Sequence, residues 1–227
     1  MSTPTDSPSV AADRAPVQEA RAHLERALAA LDRLREVLPP PSSTPPPRPR
    51  CWYAPTTTEN DTTLRAADAV FAAEQAVGRA RRVVDELHDT ISSALRVLDD
   101  AELDSAKARL SDRGSFYLEA AGEHLRRLPN RCGDMPELTH ELFAHLNRAS
   151  ASVTDARALL EVADTSDPVV ASEVAQLKPR LAVVGEMVAL AKPVARLAAQ
   201  HVDGAQVAAR QATPTSLLEP VTLERSI

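Results

Sequence analysis

The feature that most constrains this chain is an apolar stripe that recurs every three or four residues along its C-terminal third. The stripe consists of Val170, Val174, Leu177, Leu181, Val184, Val188, Ala191, Ala195, Ala198, Val202 and Ala205. Only an α-helix brings residues at this spacing onto one face. The pattern therefore predicts a long amphipathic helix from about 168 to 210 whose striped face must be covered by other helices.

Two prolines interrupt this predicted helix. Pro179 and Pro193 are 14 residues apart, so both fall on the same side, away from the stripe. A proline removes one backbone hydrogen bond, which water replaces on a solvent-facing side. We therefore predict one helix bent around the core; two or three shorter helices are the alternative.

Two earlier segments carry heptad seams of the same aliphatic kind. A helix over 63–98 has one column of Val70, Val77, Val84, Ile91 and Leu98, and a second of Ala66, Ala73, Ala80, Leu87 and Ala94. A helix over 13–38 has Val17, Leu24, Leu31 and Leu38 beside Ala20, Ala27 and Leu34. Alanine columns let helices approach to the low end of about 8–10 Å between axes.

The middle of the chain is punctuated by helix-breaking residues. Asp99 and Asp100 predict a break or a kink, followed by a third helix to about Leu128. This helix is weakened over 111–114, so it is either one helix or two pieces. Its expected inner face is Leu103, Ala106, Leu110, Tyr117, Ala121, Leu125 and Leu128. A turn is predicted over 129–135, after which Asp134 and Pro136 open a fourth helix that runs to about 163.

Together these patterns predict an all-α fold with coiled-coil-like packing of alanine, leucine and valine. Four long helices with short connections favour an antiparallel bundle over 62–210, with the 13–38 helix packed on it or exchanged between subunits. A proline-rich linker over 39–61 tethers that helix, because clustered prolines exclude helix and favour extended chain. The ends, 1–12 and 211–227, are predicted to be loose tails.

The charge balance restricts the classes of partner. Lys and Arg number 26 against 32 Asp and Glu, for a net charge of −6. Phosphate binding needs a cationic face, so nucleic acid is excluded as the main partner, and anionic lipid would repel the acidic helix faces. The two cysteines, Cys51 and Cys132, make no disulfide framework, and we expect a cytoplasmic protein.

No pattern in the sequence predicts a catalytic, cofactor or metal site. His140 and His145 resemble a zinc-binding helix pair, but a pair five residues apart points about 140° apart around a helix. Glu137 and His140 form one glutamate-x-x-histidine pair, whereas a di-iron bundle needs two such pairs. The glycines are never closer than eight residues, so phosphate-binding loops are excluded. We therefore expect no cofactor.

The linker contains the most distinctive short motif. Arg48, Arg50, Cys51, Trp52 and Tyr53 include the only tryptophan and one of the two tyrosines. Aromatic residues beside arginines are typical of protein-binding motifs, so these five residues are the candidate partner contacts. The alternative is that Trp52 and Tyr53 fold back and cover one end of the bundle.

The sequence favours a non-enzymatic helical scaffold or adaptor that binds protein partners and self-associates into homo-oligomers. The first alternative is a bundle with an internal ligand or catalytic pocket, for which His145 and Ser152 would be the residues nearest the apolar face of helix 4. The second alternative is a peripheral membrane protein, because amphipathic stripes also suit a bilayer surface.

Overall fold

The computed structural model describes residues 9–40 and 58–212, and each regular element in these ranges is an α-helix. The helices are α1 (Ser9–Val37), α2 (Thr58–Leu110), α3 (Gly114–Gly133), α4 (Met135–Val162) and α5 (Pro168–Gln211). They pack against one another, which confirms the predicted all-α helical bundle. The described residues do not include 1–8 and 213–227 of the predicted tails, or 41–57 of the predicted linker.

The packed helices form two compact units, each containing four helical segments. The first unit contains α1 up to Ala29, α2 from His88, α3, and α5 from Ala198. The second contains α1 from Ala30, α2 up to Leu87, α4, and α5 up to Leu197.

The predicted heptad seams form the core of the protein. Every residue in the predicted columns of α1, α2 and α5 is at most 6% exposed. Helix α5 is continuous through Pro179 and Pro193, and both prolines are exposed. The single-helix prediction is therefore confirmed, and the alternative of several shorter helices is wrong, because both prolines lie on the solvent side.

Of the break and the kink predicted at Asp99 and Asp100, the break is wrong, because α2 continues to Leu110. The heptad phase of α2 passes through this region on small residues, since Ala101 and Ser105 are buried. Burial of these positions outweighs the weak helix propensity of two aspartates. The predicted inner positions Leu103 and Leu110 are instead 54% and 91% exposed.

The real break between α2 and α3 lies at 111–113. The Oγ of Ser111 accepts a hydrogen bond from the backbone N–H of Arg113 at 3.1 Å, which stabilises a local turn. A Cβ atom on Gly114 would lie 2.7 Å from the carbonyl oxygen of Ala108. The chain therefore reverses closely enough that only glycine fits at this position.

The predicted turn over 129–135 is shortened to a single residue, Asp134. Helix α3 runs through Pro129 to Gly133, and Asp134 alone separates it from α4. Asp134 keeps helical dihedral angles, with φ −83° and ψ −13°. The buried stripe continues through Cys132 and Met135, so tertiary packing holds the helical path despite the proline and glycine.

Helix α1 begins at Ser9, four residues before its predicted start at Asp13, and Pro16 lies inside it. The alanine-rich stretch before Asp13 suits a helix, so Asp13 does not need to serve as its cap. In the first unit, the guanidinium of Arg21 contacts the carboxylates of Asp99 at 2.8 Å and Glu102 at 3.2 Å. Helix α1 thus packs against α2 of its own chain.

The end of α1 is held by α2 in the second unit. The guanidinium of Arg81 donates hydrogen bonds to the carbonyl oxygens of Arg35 and Leu38 at 2.7 and 2.6 Å. Arg35 also contacts Asp85 at 2.8 Å. From Arg35 to Leu38 along α1, the contacting residue on α2 changes from Asp85 to Arg81, so the two helices are antiparallel here. Arg81 satisfies carbonyls that a helix end leaves without partners.

Candidate functional site

The most distinctive surface of the described chain is the side of α5 that faces away from its buried stripe. Val183, Leu190 and Leu197 lie seven residues apart and are 50%, 52% and 40% exposed. We call these three residues, with the exposed small and cyclic side chains next to them, the α5 outer face. Its other apolar members are Pro179, Ala182, Ala189 and Pro193. All of them belong to the second unit.

The spacing of this face is that of a helix-packing seam. A seven-residue repeat keeps one column straight along a helix that packs on another helix. The column of Val183, Leu190 and Leu197 lies about 130° around α5 from the centre of the buried stripe. Helix α5 therefore carries two heptad seams, one inside the bundle and one on its surface.

Two prolines leave backbone carbonyl oxygens of α5 without an intrahelical hydrogen bond. Pro179 and Pro193 have no N–H, so the carbonyl oxygens four residues earlier, on Ala175 and Ala189, receive no intrahelical bond from them. Water or a partner must satisfy those oxygens.

Three charged side chains lie between Val183 and Leu197, but Lys192 is about 160° around α5 from Leu190. Glu186 and Arg196 are exposed, and Lys192 is half-buried. None of the three has an ion-pair partner among residues 9–40 and 58–212. Arg180, one turn before Val183, already has a partner, because its guanidinium donates two hydrogen bonds to Glu74 at 2.7 and 2.9 Å. The charges available beside the column are therefore the acidic Glu186 and the basic Arg196.

The second notable site, in the first unit, is a histidine pair between α1 and α5. The Nδ1 atoms of His23 and His201 are 3.3 Å apart, and the ring centroids are 5.5 Å apart. A Cβ atom on Gly204 would lie 2.5–2.7 Å from three atoms of the His23 ring. Because Gly204 has no side chain, the ring of His23 fits against α5 and reaches His201. Both histidines are half-buried.

The environment of His201 favours its neutral ring. Burial lowers the pKa of His201 below its ordinary value, and the neighbouring His23 and Arg26 lower it further. Desolvation disfavours the charged imidazolium, and adjacent positive charge does the same.

The residues considered from sequence for metal chemistry are not brought together. His140 is exposed, whereas the side chain of His145 is 14% exposed and its Nε2 lies 3.4 Å from Glu141. Within the described ranges, no group of three or more histidine, cysteine, aspartate or glutamate residues is placed to hold one metal ion. The Nδ1 of His145 is buried without a hydrogen-bond partner in the described structure, and Ser152 is half-buried.

The five candidate partner contacts in the linker, Arg48, Arg50, Cys51, Trp52 and Tyr53, lie outside the described residues. Their role in binding a protein partner stays a prediction.

Sequence reasoning missed both sites found in the structure. A signal for the outer face was present, because Val183, Leu190 and Leu197 form a second seven-residue column in the same segment as the core stripe. The histidine pair had no such signal, since His23 and His201 are 178 positions apart in the chain.

Comparison with known proteins gives no relative from which a function could be transferred: no protein-family model, curated protein or solved structure matches this chain significantly. Among the described helices, none is both long enough and apolar enough to cross a membrane.

Proposed function

We propose that this protein is a non-enzymatic helical scaffold that self-associates by packing the α5 outer face of one copy against that of a second copy. The observation that carries the proposal is the exposed seven-residue column of Val183, Leu190 and Leu197. Exposed apolar residues scattered singly are ordinary on protein surfaces, whereas a column at helix-packing spacing is typical of an interface.

The charges favour an antiparallel pair. With a twofold axis at Leu190, Val183 of one copy meets Leu197 of the other. Glu186 then lies level with position 194, two residues from Arg196 of the second copy. In a parallel pair, Glu186 would instead face Glu186, and like charges across an interface are unfavourable.

The size of the face indicates the strength of the association. Three large apolar side chains per copy bury much less area than the roughly 1,600 Å² of a standard stable interface. We therefore expect a weak dimer whose population depends on protein concentration.

We place this scaffold in the cytoplasm as part of the same proposal. Cys132 is a free and buried thiol, which agrees with a reducing compartment. Fractionation of cells that express the full chain would test the location.

The test of self-association is sedimentation velocity of the full chain over a hundredfold range of concentration, with mixing of two differently tagged copies. The wild type should shift towards dimer as concentration rises, and the tagged copies should co-purify. Leu190→Glu should weaken the dimer at least about tenfold, because it buries two charges at the axis. Leu110→Glu is the matched control, since Leu110 is a 91% exposed leucine on another helix.

A charge exchange tests the antiparallel register. Glu186→Arg and Arg196→Glu should each weaken the dimer, and the double variant should recover most of the loss. A chain that is monomeric at every concentration overturns the proposal. A monomer that floats with phosphatidylcholine vesicles, and loses this binding in Leu190→Glu, would assign the outer face to a membrane surface instead.

A further inference from the structure

We infer that His23 and His201 form an acid-sensitive contact that holds the N-terminal half of α1 against α5, so that mild acidification loosens this half of α1. The inference concerns the first unit and is independent of the proposed dimer, whose face lies on other residues of α5. Its basis is the geometry of the two rings, the glycine beneath them and the charges around them.

The hydrogen bond between His23 and His201 depends on how many protons the two rings carry. A hydrogen bond between two Nδ1 atoms 3.3 Å apart requires one nitrogen that carries a proton and one that does not. When both rings are imidazolium ions, both Nδ1 atoms carry protons and neither can accept. The hydrogen bond is then lost, and two positive charges are held next to each other.

The fit around the pair restricts how the rings can separate while α1 stays docked. The ring of His23 occupies the space where a Cβ on residue 204 would be, so it lies directly against the backbone of α5. His201 is half-buried on the same helix, one turn earlier. The simplest relief of repulsion is therefore movement of α1 away from α5.

The surrounding charges do not neutralise the pair. Arg26 on α1 contributes a further positive charge near His201. Arg21 on α1 forms ion pairs with the α2 carboxylates of Asp99 and Glu102. Within the described structure, no carboxylate on α1, α2, α3 or α5 makes a hydrogen bond or ion pair with either ring.

Most other histidines of the chain are in the opposite situation. His88 lies 3.6 Å from Asp89, His124 lies 3.6 Å from Asp104 on α2, and His145 lies 3.4 Å from Glu141. Each of these three rings therefore has a carboxylate beside it, whereas in the described structure no carboxylate makes an ion pair with His23 or His201. Acid sensitivity should therefore be concentrated at the pair between α1 and α5.

The direction of the pH effect follows from the lowered pKa of His201. In the unfolded chain, or with α1 detached, His201 has an ordinary histidine pKa of about 6.5 and binds a proton more readily than it does with α1 docked. Docking is therefore fully stabilised above about pH 7 and weakens as the pH falls through the unfolded value. The loss ends once the pH is below the lowered pKa of the docked state.

The consequence is local exposure of the inner side of α1. The residues that α1 buries in the first unit are Val17, Ala20, Leu24 and Ala27. The end of α1 is held separately, through the contacts of Arg81 and Asp85 in the second unit, which contain no histidine. Acidification should thus loosen residues 17–29 and leave 30–38 docked.

The test is hydrogen exchange of the full chain at pH 7.5 and pH 5.5 with a chelator present, expressed as protection factors so that the intrinsic pH dependence cancels. In the wild type, protection of residues 17–29 should fall several-fold more than that of residues 30–38. The upper limit is about tenfold per pH unit for each proton taken up. His201→Gln keeps a polar partner for His23 without a titrating ring, and should reduce the fall to less than twofold.

His140→Gln is the matched control, because His140 is an exposed histidine outside the pair, and it should behave like the wild type. An equal fall in His201→Gln and the wild type would overturn the inference. If His201→Gln folds poorly, NMR titration of the wild-type histidine Cε1–H signals decides the question. His201 should titrate below the ordinary histidine range, and an ordinary, independent titration of both rings would refute the contact.

Discussion

Replacing Gly204 by alanine probes the contact between α1 and α5 with a single methyl group. In most helices this change stabilises, because alanine is favoured over glycine by about 0.5–1 kcal/mol. At Gly204, however, the new Cβ would lie 2.5–2.7 Å from the His23 ring, a distance that non-bonded carbon atoms do not tolerate. The ring or the helix must move.

The two effects can be compared in magnitude. Overpacking a fitted site costs about 1–3 kcal/mol, and the gain in helix propensity offsets about 0.5–1 kcal/mol of it. Gly204→Ala should therefore lower the free energy of unfolding by up to about 2.5 kcal/mol, and by least where the ring of His23 rotates aside. Gly78→Ala is the matched control, since a Cβ on Gly78 meets no atom within 4 Å, and it should stabilise by about 0.5–1 kcal/mol.

Urea unfolding followed by circular dichroism measures both variants, and a double-mutant cycle isolates the clash. In a His23→Ala background the ring is absent, so Gly204→Ala should become stabilising, like Gly78→Ala. The coupling energy between positions 23 and 204 should then be about 1–3 kcal/mol. If Gly204→Ala stabilises the wild type as much as Gly78→Ala does, the ring does not occupy this space and the reasoning fails.

Three further predictions test the core, the thiol and the end of α1. Val84→Asn should destabilise the protein by about 2–5 kcal/mol, and Leu110→Asn by less than about 0.5 kcal/mol, because only Val84 is buried. Thermal and urea unfolding measure both variants, and equal effects would contradict the seam. Burial raises the pKa of Cys132 to about 11, so in a Cys51→Ser chain at pH 8 its reaction with a disulfide reagent should be at least about a hundredfold slower than in denaturant, and a fast native reaction would show an accessible thiol. Arg81→Met should lower the free energy of unfolding by about 1–3 kcal/mol, since the last carbonyls of α1 lose a charged donor, and wild-type stability would show that water replaces it fully.

The periodicity of the sequence was sufficient to identify the core residues of α1, α2 and α5, but not those of the segment from Leu103 to Leu110. Each seam residue predicted for α1, α2 and α5 is buried, and Pro179 and Pro193 lie on the exposed side as their spacing indicated. Periodicity is a reliable signal because a helix has one geometry, so the spacing of apolar residues alone fixes which of them share a face.

Local helix-breaking signals were less reliable. Two aspartates did not end α2, and Pro129 with Gly133 did not end α3 before Asp134. Breaking a helix at such residues gains only a small free energy, which burial of Ala101, Ser105 or Cys132 outweighs. The break at 111–113 was visible in the sequence only as a weak point, because the close approach of Gly114 to Ala108 exists only in the folded chain.

The sequence by itself thus determined the secondary-structure class, the seams and the direction in which each seam faces. The tertiary structure alone decided where each helix ends and which surface of α5 stays uncovered. It also decided that His23 meets His201 over Gly204. The physical reason is range. Periodicity is a property of neighbours along one helix, whereas a contact between α1 and α5, or the absence of a cover on α5, depends on where the other helices lie.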